Sequence, residues 1–157
     1  MRVLIVGEGP VADALTPMLG ALGWDATTAT SLADAESAIR SADAVVVTSH
    51  HEDVDGPAIK AALAAGTSYL GAMGSRRTQA RRREWLLANG VAEADLGVLH
   101  APVGLDIGAN EPGEIAVSIL AEMIAERRAA GSVGSISDRE GAIHPDQEPG
   151  TAYCPGG

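Results

Sequence analysis

Three glycine-rich segments, each following a short apolar run, restrict how this sequence can fold more than any other feature. They occupy residues 7–12, 71–77 and 102–109, and each leads toward a stretch with helical spacing. We refer to them as the first, second and third glycine turns. A strand, a glycine turn and a helix form the repeating unit of a parallel α/β sheet. Because such turns share the carboxyl edge of the sheet, the three are predicted to line one crevice.

The remaining sequence completes an alternation of strands and helices. Apolar runs predict strands at residues 3–6, 25–30, 44–48, 67–70 and 98–100. Helical spacing predicts helices over residues 11–22, 31–40, 56–65, 76–88 and 112–128. This pattern predicts a Rossmann-like α/β domain over residues 1–130, with a doubly wound parallel sheet of about five or six strands. Residues 131–157, rich in Gly, Ser, Pro and acidic residues, are predicted to form a flexible tail.

Composition limits the classes of partner and the compartment. Apolar residues make up 46% of the chain and Phe is absent, which favours a core of Val, Ile, Leu and Ala. The net charge of −10 argues against binding to nucleic acid or an anionic membrane, and no run reaches the ~18 apolar residues of a membrane span. The single cysteine, Cys154, suits a reducing, cytoplasmic location. Its Gly-Pro surroundings would not lower a thiol pKa, so no sulfur-carrying role is expected.

The first glycine turn has the spacing of a dinucleotide-binding turn. Gly7, Gly9 and Ala12 fit that pattern, in which the second glycine lets a pyrophosphate approach the helix start. An NAD-binding domain normally carries an acidic residue about 20 positions later, at the end of the second strand. Here residues 28–31 read Thr-Ala-Thr-Ser, and no Arg is adjacent for a 2′-phosphate. Three alternatives stay open: NAD(P), another phosphate-bearing ligand, or a turn kept for packing alone.

The second glycine turn adds positive charge. Gly74 and Ser75 would present N–H groups at the next helix start, with Ser75 as its N-cap. Arg76 and Arg77 could then hold a phosphate in bidentate fashion. The alternative is a capped helix with a solvent-exposed basic face, which we expect for the arginines at residues 81–83.

Polar residues near the other turns are candidates for ligand contact or for bracing. His50 ends the third strand and is predicted to contact a ligand or stabilise its loop; the acids that follow it do not favour a metal site. His100 is predicted to be a structural hydrogen-bond partner rather than a proton shuttle. Asp106, between Gly104 and Gly108, would either contact a ligand or brace its turn.

Residues 100–122, which begin His-Ala-Pro-Val-Gly-Leu-Asp-Ile-Gly-Ala, resemble the Rossmann domain of the XdhC/CoxI family. These proteins are maturation factors for molybdenum hydroxylases such as xanthine dehydrogenase and carbon monoxide dehydrogenase. The segment Tyr-Leu-Gly-Ala-Met-Gly-Ser-Arg-Arg at 69–77, and Ser49 and His50 with Asp55 downstream, also match the family pattern. The resemblance covers roughly residues 1–130.

Three departures from the family pattern stand out. The acidic residues at the end of the second strand are missing, as described above. The family's Thr-Pro-Glu-Glu helix start reads Glu-Pro-Gly-Glu at residues 111–114, so we expect Asn110 or a shifted start to cap that helix. Many members carry a separate N-terminal domain with a cysteine motif, to which the resemblance does not extend. A separate N-terminal domain of this kind is therefore a candidate partner.

The resemblance implies a protein that binds molybdenum cofactor, either molybdopterin or its dinucleotide. Such a protein protects the cofactor during sulfuration and passes it to a hydroxylase apo-enzyme, without turnover of its own. A separate N-terminal domain, a cysteine desulfurase and a second copy of the chain are further candidate partners. The alternatives from other classes are an NAD(P)-binding oxidoreductase or nucleotide-sensing domain, and a structural subunit that has lost its ligand.

The residues predicted to bind the cofactor lie in the three glycine turns and after the third strand. They are Gly7, Gly9, Pro10, Val11, Ser49, His50, Gly71, Gly74, Ser75, Arg76, Arg77, Gly104, Asp106 and Gly108. No catalytic residue and no metal ligand is predicted.

Overall fold

The computed structural model describes residues 1–131 and 133–138; the rest of the predicted tail, including Cys154, lies outside the described residues. Within these residues five parallel strands form one sheet: β1 (Arg2–Val6), β2 (Asp25–Ala29), β3 (Ala44–Val47), β4 (Tyr69–Ala72) and β5 (Leu99–His100). The strand order is β2-β1-β3-β4-β5. The predicted Rossmann-like α/β fold is therefore confirmed.

Helices follow the strands in alternation and cover both faces of the sheet. They are α1 (Pro10–Ala21), α2 (Leu32–Ile39), α3 (Glu52–Ala65), α4 (Arg76–Ala88) and α5 (Pro112–Arg127). Short 3₁₀ turns occupy Glu93–Val98 and Ile136–Asp138. Helices α1 and α5 pack together on one face, whereas α2, α3 and α4 pack side by side on the other. No helix in this part of the chain combines the length and apolar character that crossing a membrane requires.

The two apolar cores explain why the central strands read as continuous apolar runs. Val3 and Ile5 of β1 pack toward α1 and α5, and Leu4 and Val6 pack toward the helices of the opposite face. All four side chains are buried. A strand covered on both faces needs apolar residues at every position rather than at every second one.

The strand order creates a switch point between β1 and β3. From β1 the chain proceeds outward to β2, and then crosses back to β3 on the other side of β1. In open α/β sheets the crevice outside the carboxyl ends at such a point is the usual ligand site. The first glycine turn follows β1 and the segment from Thr48 to His51 follows β3, so both flank this crevice.

Two of the differences from the predicted element boundaries bear on the site. Strand β4 runs to Ala72 rather than residue 70, because Ala72 pairs with Val47 of β3. Gly71 is thus inside the strand, where an added Cβ would overlap Val103. Helix α3 begins at Glu52, four residues earlier than predicted, since the N–H groups of residues 54 and 55 already donate to the carbonyl of His51. Acidic residues in this first turn favour an early start by interacting with the helix dipole.

Candidate ligand site at the carboxyl edge of the sheet

The three glycine turns lie side by side because backbone hydrogen bonds continue past the ends of the strands. The N–H of Ser49 donates to the carbonyl of Val6 at 3.0 Å. The N–H of Met73 donates to Val47 at 2.8 Å, and that of Val103 donates to Ala72 at 3.1 Å. The loops after β1, β3, β4 and β5 therefore form one row along the carboxyl edge.

In the first glycine turn the two glycines have different surroundings. Gly7 has φ +120°, and a Cβ there would overlap the backbone of Ser49, so this glycine allows the β1 and β3 loops to touch. Gly9 has φ +115°, and nothing lies within 4 Å of where its Cβ would be. Gly9 thus leaves open space directly at the start of α1.

The start of α1 has no side-chain cap. Its first helical hydrogen bond runs from the N–H of Asp13 to the carbonyl of Gly9, at 2.9 Å. The N–H groups of Val11 and Ala12 precede that bond, and Pro10 has none to offer. Uncapped N–H groups at a positive helix end, next to open space, are the arrangement in which proteins bind anions.

Side chains of the second glycine turn already bond some of its backbone groups. Ser75 caps α4 by accepting the N–H of Thr78 at 3.2 Å. Gln79 Nε2 donates to the carbonyls of Ala72 at 3.0 Å and Gly74 at 3.3 Å. The neighbouring side chains of Arg76 and Arg77 are exposed to solvent. This turn therefore supplies positive charge, and the Ser75 cap takes up only the N–H of Thr78 among those at the start of α4.

The third glycine turn is attached to α5. The N–H of Gly104 donates to Glu122 Oε2 at 3.1 Å, and Ser118 Oγ donates to the carbonyl of Leu105 at 2.6 Å. Gly104 has φ +107°, and a Cβ there would overlap Ser118 Oγ. Gly104 is thus needed for packing, whereas Asp106 and Gly108 lie exposed at the tip of the turn.

His100 packs among the residues that connect the third glycine turn to α5. Its ring stacks on Tyr69 with 4.9 Å between ring centroids, and its Nδ1 lies 3.6 Å from Glu122 Oε2. The hydroxyl of Tyr69 donates to that same oxygen at 2.6 Å. Burial, followed by this hydrogen bond, holds the pKa of Tyr69 well above its usual range. The surroundings of His100 are those of a packing group.

Arg82 contradicts the prediction of a solvent-exposed basic face. It forms an ion pair with Asp55 at 2.8 Å, and the side chains of Arg82 and Asp55 are only 5% and 6% exposed. Arg82 Nη1 also donates to Gln79 Oε1 at 2.7 Å and to the carbonyl of Met73 at 3.0 Å. Its position four residues before the buried Leu86 places it on the same helix face, which is the sequence signal that was missed.

The other two arginines of this run are exposed, as the sequence predicts. Arg81 pairs with Glu52 at 3.0 Å, and Arg83 pairs with Glu93. Both pairs lie in solvent and contribute little to stability.

A cavity of about 290 Å³ opens between the first turns of α3 and the middle of α4. His50, Asp55, Thr78, Arg81 and Trp85 are among its lining residues. His50 is the predicted site residue that lines it. Trp85 and Asp55 were not expected there, because only the packing of α3 against α4 brings them together.

A match along most of the domain shows the family of this chain. Residues 3–123 match the family model described as the XdhC Rossmann domain. The chain belongs to this family. The resemblance that the sequence suggested is therefore confirmed.

Three curated relatives illustrate how this XdhC domain relates to longer proteins. It is 32% identical over 146 residues to the uncharacterised protein YqeB of Escherichia coli, an alignment that covers 78% of this chain and 27% of the relative. It is 31% identical over 128 residues to the molybdenum cofactor insertion chaperone PaoD of the same organism, covering 81% and 40%. It is 38% identical over 86 residues to a probable xanthine dehydrogenase component of Bacillus subtilis, covering 55% and 24%.

The chain thus spans between about a quarter and two fifths of the length of these relatives. Among solved structures, a xanthine dehydrogenase from Bacillus halodurans superposes with a TM-score of 0.63 at 23% identity. That superposition covers 86% of this chain and 45% of the other. At this level of identity it supports the fold.

In this XdhC domain a capping box stabilises the start of α5, where the sequence departs from the family pattern. Glu111 is the N-cap, and Glu114 Oε2 accepts the N–H groups of Asn110 at 2.9 Å and Glu111 at 3.0 Å. These two backbone hydrogen bonds lower the pKa of the Glu114 carboxyl. The expectation that Asn110 or a shifted start would cap the helix was wrong, because the carboxylates of the Glu-Pro-Gly-Glu sequence do so.

The predicted site residues of the XdhC domain fall into separate groups. Gly7, Gly71 and Gly104 are required by close packing. Two helix starts along the carboxyl edge hold further predicted residues: Gly9, Pro10 and Val11 at α1, and Gly74 to Arg77 at α4. Ser49 is buried and accepts the N–H of His51, while His50 is exposed toward the cavity. Asp106 and Gly108 are at the tip of the third turn. Within the described part of the chain, no cluster of three or more His, Cys, Asp or Glu side chains is placed to hold a metal ion.

Proposed function

We propose that this XdhC domain binds molybdenum cofactor and acts in its maturation, by protecting it during sulfuration and delivering it to a molybdenum hydroxylase. The relative PaoD, which is named as a molybdenum cofactor insertion chaperone, aligns with 81% of this chain. The single observation that carries the proposal is the open, uncapped start of α1 at the switch point of the sheet. It is where an α/β domain of this topology is expected to hold a phosphate.

The residues present fit the anionic part of this cargo. Molybdenum cofactor carries a phosphate or a dinucleotide tail. The N–H groups of Val11 and Ala12 would bind that tail, and the absent side chain of Gly9 leaves it room. Ser49 and His50 flank the same crevice, and the exposed Arg76 and Arg77 would neutralise its charge. The third turn would close the row through Asp106 and Gly108.

In this proposal the domain binds and transfers without catalysing a reaction. The partner is the apo-enzyme of a xanthine dehydrogenase-type or carbon monoxide dehydrogenase-type hydroxylase, and the compartment is the cytoplasm. A separate N-terminal XdhC-type domain, a cysteine desulfurase and a second copy of the chain complete the proposed assembly. The cargo is molybdopterin or its dinucleotide, and the dinucleotide would occupy more of the carboxyl edge than the single phosphate of molybdopterin.

The NAD(P) alternative receives less support from the geometry. Strand β2 ends at the buried Ala29, where an NAD-binding domain would carry its ribose-binding acid. The next residue, Thr30, offers only a hydroxyl, and Ser31 Oγ accepts the N–H of Asp34 at 3.2 Å as the cap of α2. The end of β2 therefore offers no carboxylate to a ribose.

Anaerobic titration calorimetry with isolated molybdenum cofactor, NAD⁺ and NADP⁺ tests the proposal. We expect the cofactor to bind and the two nicotinamide nucleotides to bind far more weakly. Gly9→Ala should weaken cofactor binding, because its Cβ would enter the space proposed for the phosphate. Gly23→Ala is the matched control, since Gly23 also has a positive φ and an open surrounding but lies at the other end of α1. Tight binding of a nicotinamide nucleotide without binding of the cofactor would refute the proposal.

The role of the arginines is tested by a second pair of variants. Replacing Arg76 and Arg77 by Ala should reduce cofactor affinity by roughly tenfold or more, as expected for the loss of charged phosphate contacts. Replacing Arg127 and Arg128 by Ala changes the net charge equally. These two consecutive residues lie at the end of α5, on the opposite side of the molecule, so cofactor affinity should change little. Equal losses for the two double variants would mean that only overall charge matters.

A further inference from the structure

Asp55, which lines the cavity between α3 and α4, has a buried carboxylate oxygen without a partner among the described residues. Asp55 lines this cavity and its Oδ2 accepts from Arg82 Nη2 at 2.8 Å. Its Oδ1 is fully buried and has no hydrogen-bond partner among the residues that the structure describes. Buried polar atoms in native proteins nearly always have a partner, so this carboxylate oxygen is a candidate acceptor for a water molecule or a ligand.

Arg82 fixes this carboxylate but leaves Oδ1 open. Its two terminal nitrogens are occupied by Asp55 Oδ2, Gln79 Oε1 and the carbonyl of Met73. The guanidinium therefore holds the Asp55 carboxylate in one orientation, and it is tied to the end of β4 through Met73. Arg82 is a positioning residue, and the open acceptor belongs to Asp55.

The rest of the cavity suits one flat ring system. The indole of Trp85 lies against α3 at Gly56, where an added Cβ would come within 2.6 Å of its Cε3. Trp85 is 36% exposed and lines the cavity, so it can contact a planar group. The volume of about 290 Å³ is at the low end of the ~300–1,000 Å³ of small-molecule sites, which fits a heterocycle rather than a whole dinucleotide.

We propose that this cavity is a ring-binding subsite for a heterocycle with an amino-oxopyrimidine edge, and that Asp55 Oδ1 accepts a hydrogen bond from that edge. Pterins and guanine share this edge, whose adjacent N–H groups match a carboxylate acceptor. Thr78 lines the cavity and is held by the Ser75 cap, so the ring would lie beside the second glycine turn and its arginines. The inference rests on the proposed function only in taking molybdenum cofactor as the molecule that carries the ring.

The tryptophans allow the subsite to be tested on the unmodified protein. The indole N–H signals of Trp85 and Trp24 are followed by NMR while pterin, guanosine or lumazine is added. Lumazine is the matched ligand, since oxygen replaces the amino group of pterin. We expect pterin or guanosine to shift the Trp85 signal and leave Trp24 unchanged, because Trp24 belongs to the core on the opposite face of the sheet. Lumazine should bind at least roughly tenfold more weakly, because a carbonyl acceptor beside the retained ring N–H replaces the amino donor and repels the carboxylate.

Variants of the cavity wall provide the second measurement. Gly56→Ala forces the indole of Trp85 to move while introducing a helix-favouring residue, so it should weaken pterin binding and displace the Trp85 signal. Gly20→Ala is the control, because Gly20 is also helical and has nothing within 4 Å. Substituting Asp55 itself would leave Arg82 unpaired in the core, so a loss of binding in that variant would not distinguish the subsite from misfolding.

The outcomes separate this inference from the proposed function. Discrimination between pterin and lumazine, together with a Trp85 shift lost in Gly56→Ala, supports the subsite; stronger binding of guanosine than pterin identifies guanine as the ring. Equal binding of pterin and lumazine, or an unmoved Trp85 signal, overturns it. If whole cofactor still binds in calorimetry in that case, the proposed function stands without the subsite. If the ring binds at Trp85 but whole cofactor does not, the subsite stands and the proposed function fails.

Discussion

The two edges of the sheet differ in how they treat polar groups. The buried polar side chains cluster on the carboxyl side, in the loops after the strands and in the helices beside them: Thr48, Ser49, Asp55, Arg82 and Ser118. The amino edge instead holds the ion pair of Arg2 with Asp43, at 2.8 Å, whose side chains are 59% and 38% exposed. Burying polar groups is unfavourable unless each is paired. Buried polar groups therefore constrain the carboxyl edge, whereas the ion pair at the amino edge is exposed to solvent.

This contrast predicts that matched substitutions at the two edges have unequal effects. The largest is expected for Asp55→Ala, which leaves Arg82 charged and unpaired in the interior. The free energy of unfolding, measured by urea denaturation, should fall by about 3–5 kcal/mol. Asp43→Ala, at the exposed pair, should have a much smaller effect. Similar losses would show that burial does not distinguish the edges.

A double variant sharpens this result. Asp55→Ala combined with Arg82→Met removes both charges, so no lone charge remains in the core. We expect it to be more stable than Asp55→Ala alone. If it is less stable, Arg82 contributes mainly through its bonds to Met73 and Gln79.

The next largest effect is expected at the glycines. Gly7→Ala combines a strained positive φ with overlap against the backbone of Ser49, and should destabilise the protein by roughly 2–4 kcal/mol. Gly66→Ala, at the end of α3 on the amino side, introduces strain at φ +66° but has open space around it. It should lower the unfolding free energy by about 1 kcal/mol. Equal thermal shifts for the two variants would contradict the close contact between the β1 and β3 loops.

A smaller effect is expected for Glu122→Gln. The amide retains an acceptor but loses the charge that receives the hydroxyl of Tyr69 and the N–H of Gly104. Stability should fall by about 1–2 kcal/mol, and hydrogen exchange at Gly104 should become faster. Glu126→Gln, one helical turn closer to the amino edge, is the control and should leave that exchange rate unchanged.

The smallest effect concerns the pH dependence of the amino edge. The side-chain hydrogen bond from Arg2, followed by its backbone N–H, lowers the pKa of Asp43 from 3.8 to about 2. Because the folded pKa lies below the unfolded value, this carboxylate adds stability above about pH 4, and that contribution is lost as the pH falls toward 2. Asp43→Asn should remove this part of the acid dependence of unfolding. If the acid dependence of unfolding is unchanged in this variant, other carboxyl groups are responsible for it.

The edges also differ in how far the sequence predicts them. Apolar periodicity identifies the alternating strands and helices, and the motifs at residues 69–77 and 100–122 identify the family. The burial of Arg82 was missed because its partner lies 27 residues away on another helix. Likewise the spacing of the first glycine turn assigns ligand approach to Gly9. It does not reveal that the β3 loop packs against Gly7.

The placement of the two tryptophans gives the protein its own optical reporter. Trp85 borders the cavity and is 36% exposed, whereas Trp24 is 8% exposed and has the guanidinium of Arg127 5.6 Å above its ring. Fluorescence from the two indoles should therefore separate into a red-shifted and a blue-shifted component. A molecule that enters the cavity would quench the red-shifted component alone, so its arrival could be followed in real time without any attached dye.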